Sequence, residues 1–105
     1  MITKQLYEIL VPTKFEDTQK PVSTKHHREW DKRVLGISGG LTIFKPTKGK
    51  WIHIGQLYND RMIPVRICCT PNQIDLIGQF TLKHYRQIEI MVYRVSEQVI
   101  FYKDL

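Results

Sequence analysis

Two segments with helical periodicity, each set between segments rich in β-forming residues, constrain the fold of this chain more than any other feature. The first, "TKHHREWDKRVLGI", has Ser23 or Thr24 as its N-cap. The second has Thr70 as N-cap and Pro71 as its first helical residue, and it runs to about His84. Helices that alternate with strands in this way pack on a sheet, so the pattern predicts an α+β domain.

The strand segments fix the order of the elements. "LYEILVP" precedes the first helix, "LTIF" with its continuation "WIHI" and then "LYNDRMIPVRICC" follow it, and "IEIMVYRVS" follows the second helix. This order is the ferredoxin-like βαββαβ plan, an antiparallel sheet with two helices on one face. We therefore predict a single ferredoxin-like domain over residues 1–105. Pro64 predicts a sheet edge or a bulge, and "QVIFY" is either a short fifth strand or a tail that pairs elsewhere.

The large apolar side chains are too numerous for one thin core. The helices cover only one face of the sheet, and a chain of 105 residues buries a modest core. We therefore expect the open face or an edge to be buried in a homo-oligomer, a trimer or a dimer with the trimer favoured. The side chains in excess are Phe44, Trp51, Ile52, Ile54, Met91, Tyr93, Phe101 and Tyr102.

The charge and composition of the chain limit the classes of ligand and partner that it is expected to bind. The formal charge of +6 favours anionic ligands such as nucleotides, other phosphates and carboxylates. Nucleic-acid binding is not expected, because the basic residues are dispersed and no RNP motif, zinc-finger spacing or long basic arm is present. No apolar run approaches the ~18 residues of a membrane span, and the first strand leaves no room for a signal peptide. Together with two thiols, these features predict a cytoplasmic protein.

The densest basic group lies in "SGGLTIFKPTKGKW". It is not a Walker loop, because Trp51 follows Lys50 where Ser or Thr is needed, and a strand follows where a helix is needed. The segment is either a hairpin with solvated lysines or a mobile basic flap over an anionic ligand. In the second case the ligand site, in a cleft between subunits, would comprise Lys45, Lys48, Lys50, Trp51, Arg61 and Arg66.

A metal site and a nucleophilic site are not predicted. His26 and His27 are adjacent, and neighbours on a helix point about 100° apart, so they do not chelate together easily. The histidines show no short ligand spacing, and His84 is explained as a favourable charge at a helix C-terminus. Cys68 and Cys69 alternate on an apolar strand and are predicted to be core thiols without a mutual disulfide. We therefore expect no metal and no cofactor.

The segment "GQLYNDRMIPVR" carries a third group of interest. Tyr58, Asp60 and Met62 share one face of the predicted strand, and Arg61 takes the other. A tyrosine beside a carboxylate on a sheet edge can bind an amine, a ribose or a cationic centre. The alternative is a polar hairpin stem.

Residues 58–94 resemble the phage-encoded S-adenosylmethionine lyases, formerly called S-adenosylmethionine hydrolases. The resemblance lies in "VRICC" leading into a helix and in "HYRQIEIMVYR" after it. "SGGLT" followed by "GKW" is also similar to uncharacterised small bacterial proteins of the same layout. The lyase resemblance implies a ferredoxin-like or PII-like trimer with sites between subunits, which splits S-adenosylmethionine into methylthioadenosine and homoserine lactone.

In that family the carboxylate of the substrate attacks, so the protein mainly folds the substrate and holds its sulfonium. The resemblance implies two catalytic residues: Tyr58, or Trp51 if the hairpin is shorter, as the family's tyrosine, and Asp60 as its acid. The paired glutamates of the family are replaced here by Asp60 and Arg61.

Three functions stay open. The first is a small oligomeric protein of phage or bacterial origin that holds a nucleotide-like or adenosyl molecule between subunits. The second is the lyase. The third is a structural or protein-interaction module, including one that blocks a host enzyme.

Overall fold

The computed structural model describes residues 3–104. The predicted second strand is present as two pieces, because Lys45 and Pro46 lie outside the ladder. In chain order the elements are β1 (Gln5–Pro12), α1 (Thr24–Ser38), β2 (Thr42–Ile43), β3 (Thr47–His53), β4 (Gln56–Cys69), α2 (Pro71–His84) and β5 (Val92–Ser96). None of the helices in the described part of the chain is long and apolar enough to cross a membrane.

The five strands form one antiparallel sheet in the order β2, β4, β1, β5, and β3 pairs with β4 beyond β2. Val65 lies opposite Ile9, which lies opposite Val92, and this row faces the two helices. Alternate residues such as Glu8 face away from the helices, on the open face. The predicted α+β ferredoxin-like fold, which is also PII-like, is confirmed.

Both helix starts use the predicted capping chemistry. The Ser23 side chain accepts a hydrogen bond from the His26 N–H, so Ser23 and not Thr24 is the first N-cap. At α2, Thr70 and Gln73 form a capping box ahead of Pro71. These capping side chains accept hydrogen bonds from the N–H groups of the first helical turn, which have no acceptor within the helix.

The core lies between the helices and the sheet, and one hydrogen-bond chain crosses it. The Trp30 indole N–H donates to Thr81 Oγ1 at 2.9 Å, and the Thr81 hydroxyl donates to the Ile77 carbonyl at 2.6 Å. This chain joins α1 to α2 where water is excluded. The fully buried side chains are Ile9, Val11, Trp30, Val34, Val65, Ile67, Cys69, Ile77, Thr81 and Tyr85.

Pro64 does not lie at a sheet edge, but it does lie at a bulge. Ile43 pairs with Val65 and Thr47 with Met62, so three residues of the neighbouring segment lie opposite two residues of β4. β4 is internal, with β1 on one side and β2 and β3 on the other. The Phe44 N–H donates to the Pro64 carbonyl at 2.9 Å. Since the N–H and C=O of one strand residue point to the same side, the donor that Pro64 lacks falls where the ladder is already interrupted between β2 and β3.

The paired strands β3 and β4 form an arm that ends in a two-residue turn. Ile54 and Gly55 both have positive φ, 50° and 72°, as a tight hairpin turn requires. Glycine accepts this conformation freely, whereas a β-branched residue in the left-handed region costs about 1–2 kcal/mol. Ile54 is also 90% exposed, so the tip of the arm is both strained and apolar.

The apolar side chains predicted to exceed the core are exposed in the single chain. All eight lie outside the core, and the most accessible of them are Tyr102, Ile54 and Ile52. "QVIFY" forms no strand, and Ile100, Phe101 and Tyr102 are open to solvent. One copy of the chain therefore leaves a large apolar surface uncovered.

The core hydrogen-bond chain gives a stability prediction. Thr81→Val should lower the free energy of unfolding by about 1–3 kcal/mol, because the Trp30 N–H would be buried without a partner. Thr47→Val, at an exposed position of β3, is the matched control and should change it by less than about 0.5 kcal/mol. Urea unfolding measures both, and equal changes would contradict the assignment.

Candidate metal centre

Two histidines from different helices stack where α1 begins and α2 ends. The ring centroids of His26 and His84 are 3.8 Å apart, and the ring planes differ by 16°. Nε2 of His26 donates to the His84 carbonyl at 2.6 Å, and Nε2 of His84 donates to the His26 carbonyl at 2.8 Å. This reciprocal pair fixes both rings relative to both helices.

The two hydrogen bonds also determine which ring nitrogens are available to a ligand. A carbonyl oxygen only accepts, so Nε2 carries the hydrogen and Nδ1 holds the lone pair of each neutral imidazole. Metal-binding histidines usually donate their other ring N–H to a carbonyl or carboxylate, which fixes the tautomer and the ring orientation. The pair already has this supporting hydrogen bonding.

Glu29 adds a third donor. It lies one turn after His26 on α1, and the ligand atoms of His26, Glu29 and His84 lie within 4.8 Å of one another. Bonds of ~2.0–2.2 Å to one tetrahedral metal would set the three ligand atoms about 3.5 Å apart. Because the lone pair of an imidazole lies in its ring plane, the two rings, now within 16° of parallel, would have to tilt toward each other to share one ion. The residues supply two imidazoles and one carboxylate, and they would leave coordination positions open.

The rings are partly enclosed by two phenylalanines. Phe15, in the loop before α1, makes an edge contact with His26, and Phe80 lies against His84, each at 5.0 Å between centroids. The Arg86 guanidinium lies 4.1 Å from the centre of the Phe15 ring and pairs with Asp17 at 3.3 Å. These contacts cover the sides of the stacked pair while Glu29 stays accessible.

His27 has a different role from its neighbour. Its Nδ1 shares a 2.7 Å hydrogen bond with the hydroxyl of the fully buried Tyr85. Burial lowers the pKa of His27, opposed by the Asp31 carboxylate and reinforced by His26 and His84. Burial, and then the charge of Asp31, raises the pKa of Tyr85, so its phenol stays protonated. At neutral pH His27 is therefore an uncharged partner of Tyr85.

The residues that the sequence suggested as a ligand site are divided between the two faces of the arm. Trp51 lies opposite Tyr58, with the rings stacked at 6.4 Å, and this face also carries Asp60. Lys48 lies opposite Arg61 on the other face, which we call the basic arm face and which also includes Lys50. Because Lys48 and Lys50 lie within a paired strand, the predicted basic flap is limited to the region of Lys45.

Arg66 is partly committed within the fold. It faces away from the helices, where its Nε lies 3.0 Å from Oε1 of Glu8, a carboxylate that is mostly buried. Its guanidinium also lies 5.2 Å from the centre of the Phe44 ring. Arg66 thus balances a charge on the open face, and along β4 it alternates with Arg61, so it does not share the basic arm face.

One of the two predicted core thiols lies in the core. Cys69 is buried in the core and Cys68 is partly exposed, and the two thiols are free. Burial, then the neighbouring Cys68, raises the pKa of Cys69 to about 11, so its thiol is protonated at neutral pH. A core thiol and not a nucleophile is what this environment supports.

Sequence reasoning did not group the histidines, because His26 and His84 are 58 positions apart. Metal motifs are recognised by short spacings, and only the packing of α1 on α2 brings these two together. The available signal was the pairing of His26 with Glu29, which are one helical turn apart.

No protein-family profile and no curated protein matches this sequence. Solved structures do match its fold. The divalent cation tolerance protein CutA1 of Thermus thermophilus is 10% identical with a TM-score of 0.67, and the match covers 97% of this chain and 88% of that one. CutA1 of Oryza sativa is 9% identical with a TM-score of 0.71, covering 95% and 85%. The periplasmic divalent cation tolerance protein CutA of Archaeoglobus fulgidus is 12% identical with a TM-score of 0.68, covering 93% and 88%.

These matches correct the resemblances drawn from sequence. The predicted relation to S-adenosylmethionine lyases is wrong, since the similar structures are CutA1 proteins over nearly the whole chain. The local similarity to uncharacterised bacterial proteins and the phage origin lose their basis with it. The catalytic roles of Tyr58 and Asp60 depended on the lyase resemblance and lose their support as well. At identities this low, the matches establish the fold.

The lowered pKa of His27 predicts a pH dependence of stability. As the pH falls below about 6.5, the unfolded chain binds a proton before the folded one does, so this group destabilises the fold until the folded pKa is passed. His27→Gln removes the effect, and its stability should rise relative to wild type between about pH 7 and 5. Urea unfolding in chelator measures the difference. His53→Gln, at an exposed site on β3, should behave as wild type, and an unchanged pH dependence in His27→Gln would refute the prediction.

Proposed function

We propose that this protein binds a divalent transition-metal cation through His26, Glu29 and His84. The observation that carries the proposal is the stacked histidine pair, whose Nε2 atoms are both held by backbone carbonyls next to a carboxylate. This arrangement leaves one lone pair on each imidazole, which is the form that a metal requires.

The donor set favours a particular class of ion. Imidazole nitrogen suits zinc, copper, nickel and cobalt, whereas magnesium and calcium prefer all-oxygen sites. Three protein donors leave at least one position for water or another ligand. The proposal is therefore an open site for a zinc-like ion.

The similar structures also support the proposal of a divalent cation site. Those proteins are named for tolerance of divalent cations. The fold is shared across most of this chain, and the present residues supply a donor set suited to such ions.

The alternative is that the histidine pair only clamps α1 to α2, and Glu29 separates the two cases. Glu29 is exposed, so Glu29→Gln should leave folding intact. We expect this variant to bind Co²⁺ at least about tenfold more weakly than wild type, and His84→Gln to lose the site. The visible spectrum of Co²⁺ reports nitrogen coordination directly, and Zn²⁺ calorimetry gives the stoichiometry.

Two control variants test the placement. Glu89→Gln changes an exposed carboxylate elsewhere, and His53→Gln changes an exposed histidine on the arm. Both should bind Co²⁺ as wild type does. If Glu29→Gln and His84→Gln also bind like wild type, the metal site is not here and the pair is a helix clamp.

We also infer that the protein works as a homo-oligomer. Support comes from the exposed apolar side chains of the arm, where Ile52 is 73% accessible and Ile54 adopts a strained conformation. Strain of this kind persists where something else holds it, and contact with a second copy would do so. The sequence favours a trimer, which stays a prediction.

Negative charges introduced on the arm test whether its apolar side chains form the contact between copies. Ile52→Asp combined with Leu57→Asp should shift the protein toward the 12.5 kDa monomer, because both side chains lie opposite each other on the exposed arm. Leu76→Asp, on the exposed side of α2, is the control and should keep the wild-type assembly. Sedimentation velocity gives the mass. A monomeric wild type would overturn the inference.

The remaining expectations stay predictions. Neither the fold nor the similar structures support a nucleotide or adenosyl ligand. Binding of an anion at the basic arm face also stays a prediction. Lys48→Ala combined with Lys50→Ala would test it, because the double variant should bind the anion less tightly. A cytoplasmic location is likewise untested, and one of the similar proteins is named as periplasmic.

A further inference from the structure

A cleft separate from the histidine pair lies between α1 and the sheet. It has a volume of about 250 Å³. Its inner wall is apolar and is formed by side chains from β1, β2, β4 and α1, which are Val11, Trp30, Ile43, Ile63 and Val65. Such a wall suits the apolar part of a small molecule.

Two opposite charges lie on the helical side of this cleft. Arg28 and Asp31 are three positions apart on α1, and both line the cleft. Side chains at this spacing are neighbours, with Cβ atoms about 5–6 Å apart. Within residues 3–104, however, neither of them forms an ion pair.

Apart from the uncharged hydroxyl of Thr24, the other polar side chains of the cleft already have hydrogen-bond partners within the fold. His27 bonds to Tyr85, and the Trp30 N–H donates to Thr81. Arg28 and Asp31 are therefore the charged groups left to meet a ligand. A group that satisfies both must carry a positive and a negative charge close together.

We propose that this cleft binds a small zwitterion with an apolar side chain, of the size and chemistry of a branched-chain α-amino acid. The ammonium group pairs with Asp31, the carboxylate with Arg28, and the side chain packs on Ile43, Ile63 and Val65. This ligand site goes beyond metal binding and does not require the metal.

Three ligands that differ by one group each test the proposal. L-leucine carries both charges, 3-methylbutylamine lacks the carboxylate, and 4-methylpentanoate lacks the ammonium group. Calorimetry in a buffer with chelator should show leucine binding at least about tenfold more tightly than either analogue. Absence of leucine binding at millimolar concentration, or equal binding of all three, would overturn the proposal.

Two variants assign the charges. Asp31→Asn should abolish the preference for leucine over 4-methylpentanoate, and Arg28→Gln should abolish the preference over 3-methylbutylamine. Lys32→Gln, on the same helix and outside the cleft, is the control and should bind leucine as wild type does. If Lys32→Gln weakens leucine binding as much as Arg28→Gln does, binding depends only on the overall charge of the protein, and the proposed site is wrong. Since chelator is present throughout, failure here leaves the metal proposal intact.

Discussion

The packing of α1 on α2 is the interaction on which the rest of the structure depends. The Trp30 to Thr81 hydrogen bond joins the two helices within the core, and Tyr85 fills the space beside it. At one end of this contact the rings of His26 and His84 stack, and beside it Tyr85 bonds to His27 at the wall of the cleft. The histidine pair is therefore a direct consequence of this helix–helix contact, whereas the cleft lies between α1 and the sheet and shares only the neighbouring Tyr85 with it.

The sheet extends beyond the core as the arm, where its apolar side chains are exposed. β4 is long enough to pair with β1 in the core and with β3 in the arm. The break at Pro46 and the missing donor of Pro64 coincide, so the edge changes from β2 to β3 where no further hydrogen bond is lost. The arm places aromatic side chains on one face and lysines on the other, which divides the basic and aromatic residues that had suggested a single ligand site.

The fold could be predicted because its signals are local. The caps at Ser23 and Thr70 and the β-forming residues of β1 act within a few positions along the chain, and the order of the elements then leaves few topologies. Proline predicted an interrupted ladder at position 64, but not that β4 is an internal strand, because the cost of the missing N–H donor depends on which strand lies across from it. The resemblance to lyases failed for a related reason: an alternating strand followed by a capped helix is common to many sheets, and it carries little information about chemistry.

The sequence by itself determined the elements, their order, the core thiol at Cys69 and the excess of apolar side chains. Only the tertiary structure decided which polar groups meet. His26 meets His84 across 58 positions, and Arg28 and Asp31 face a wall built by three strands. The physical reason is that secondary structure depends on neighbours along the chain. A binding site instead depends on groups that only the burial of apolar surface brings together.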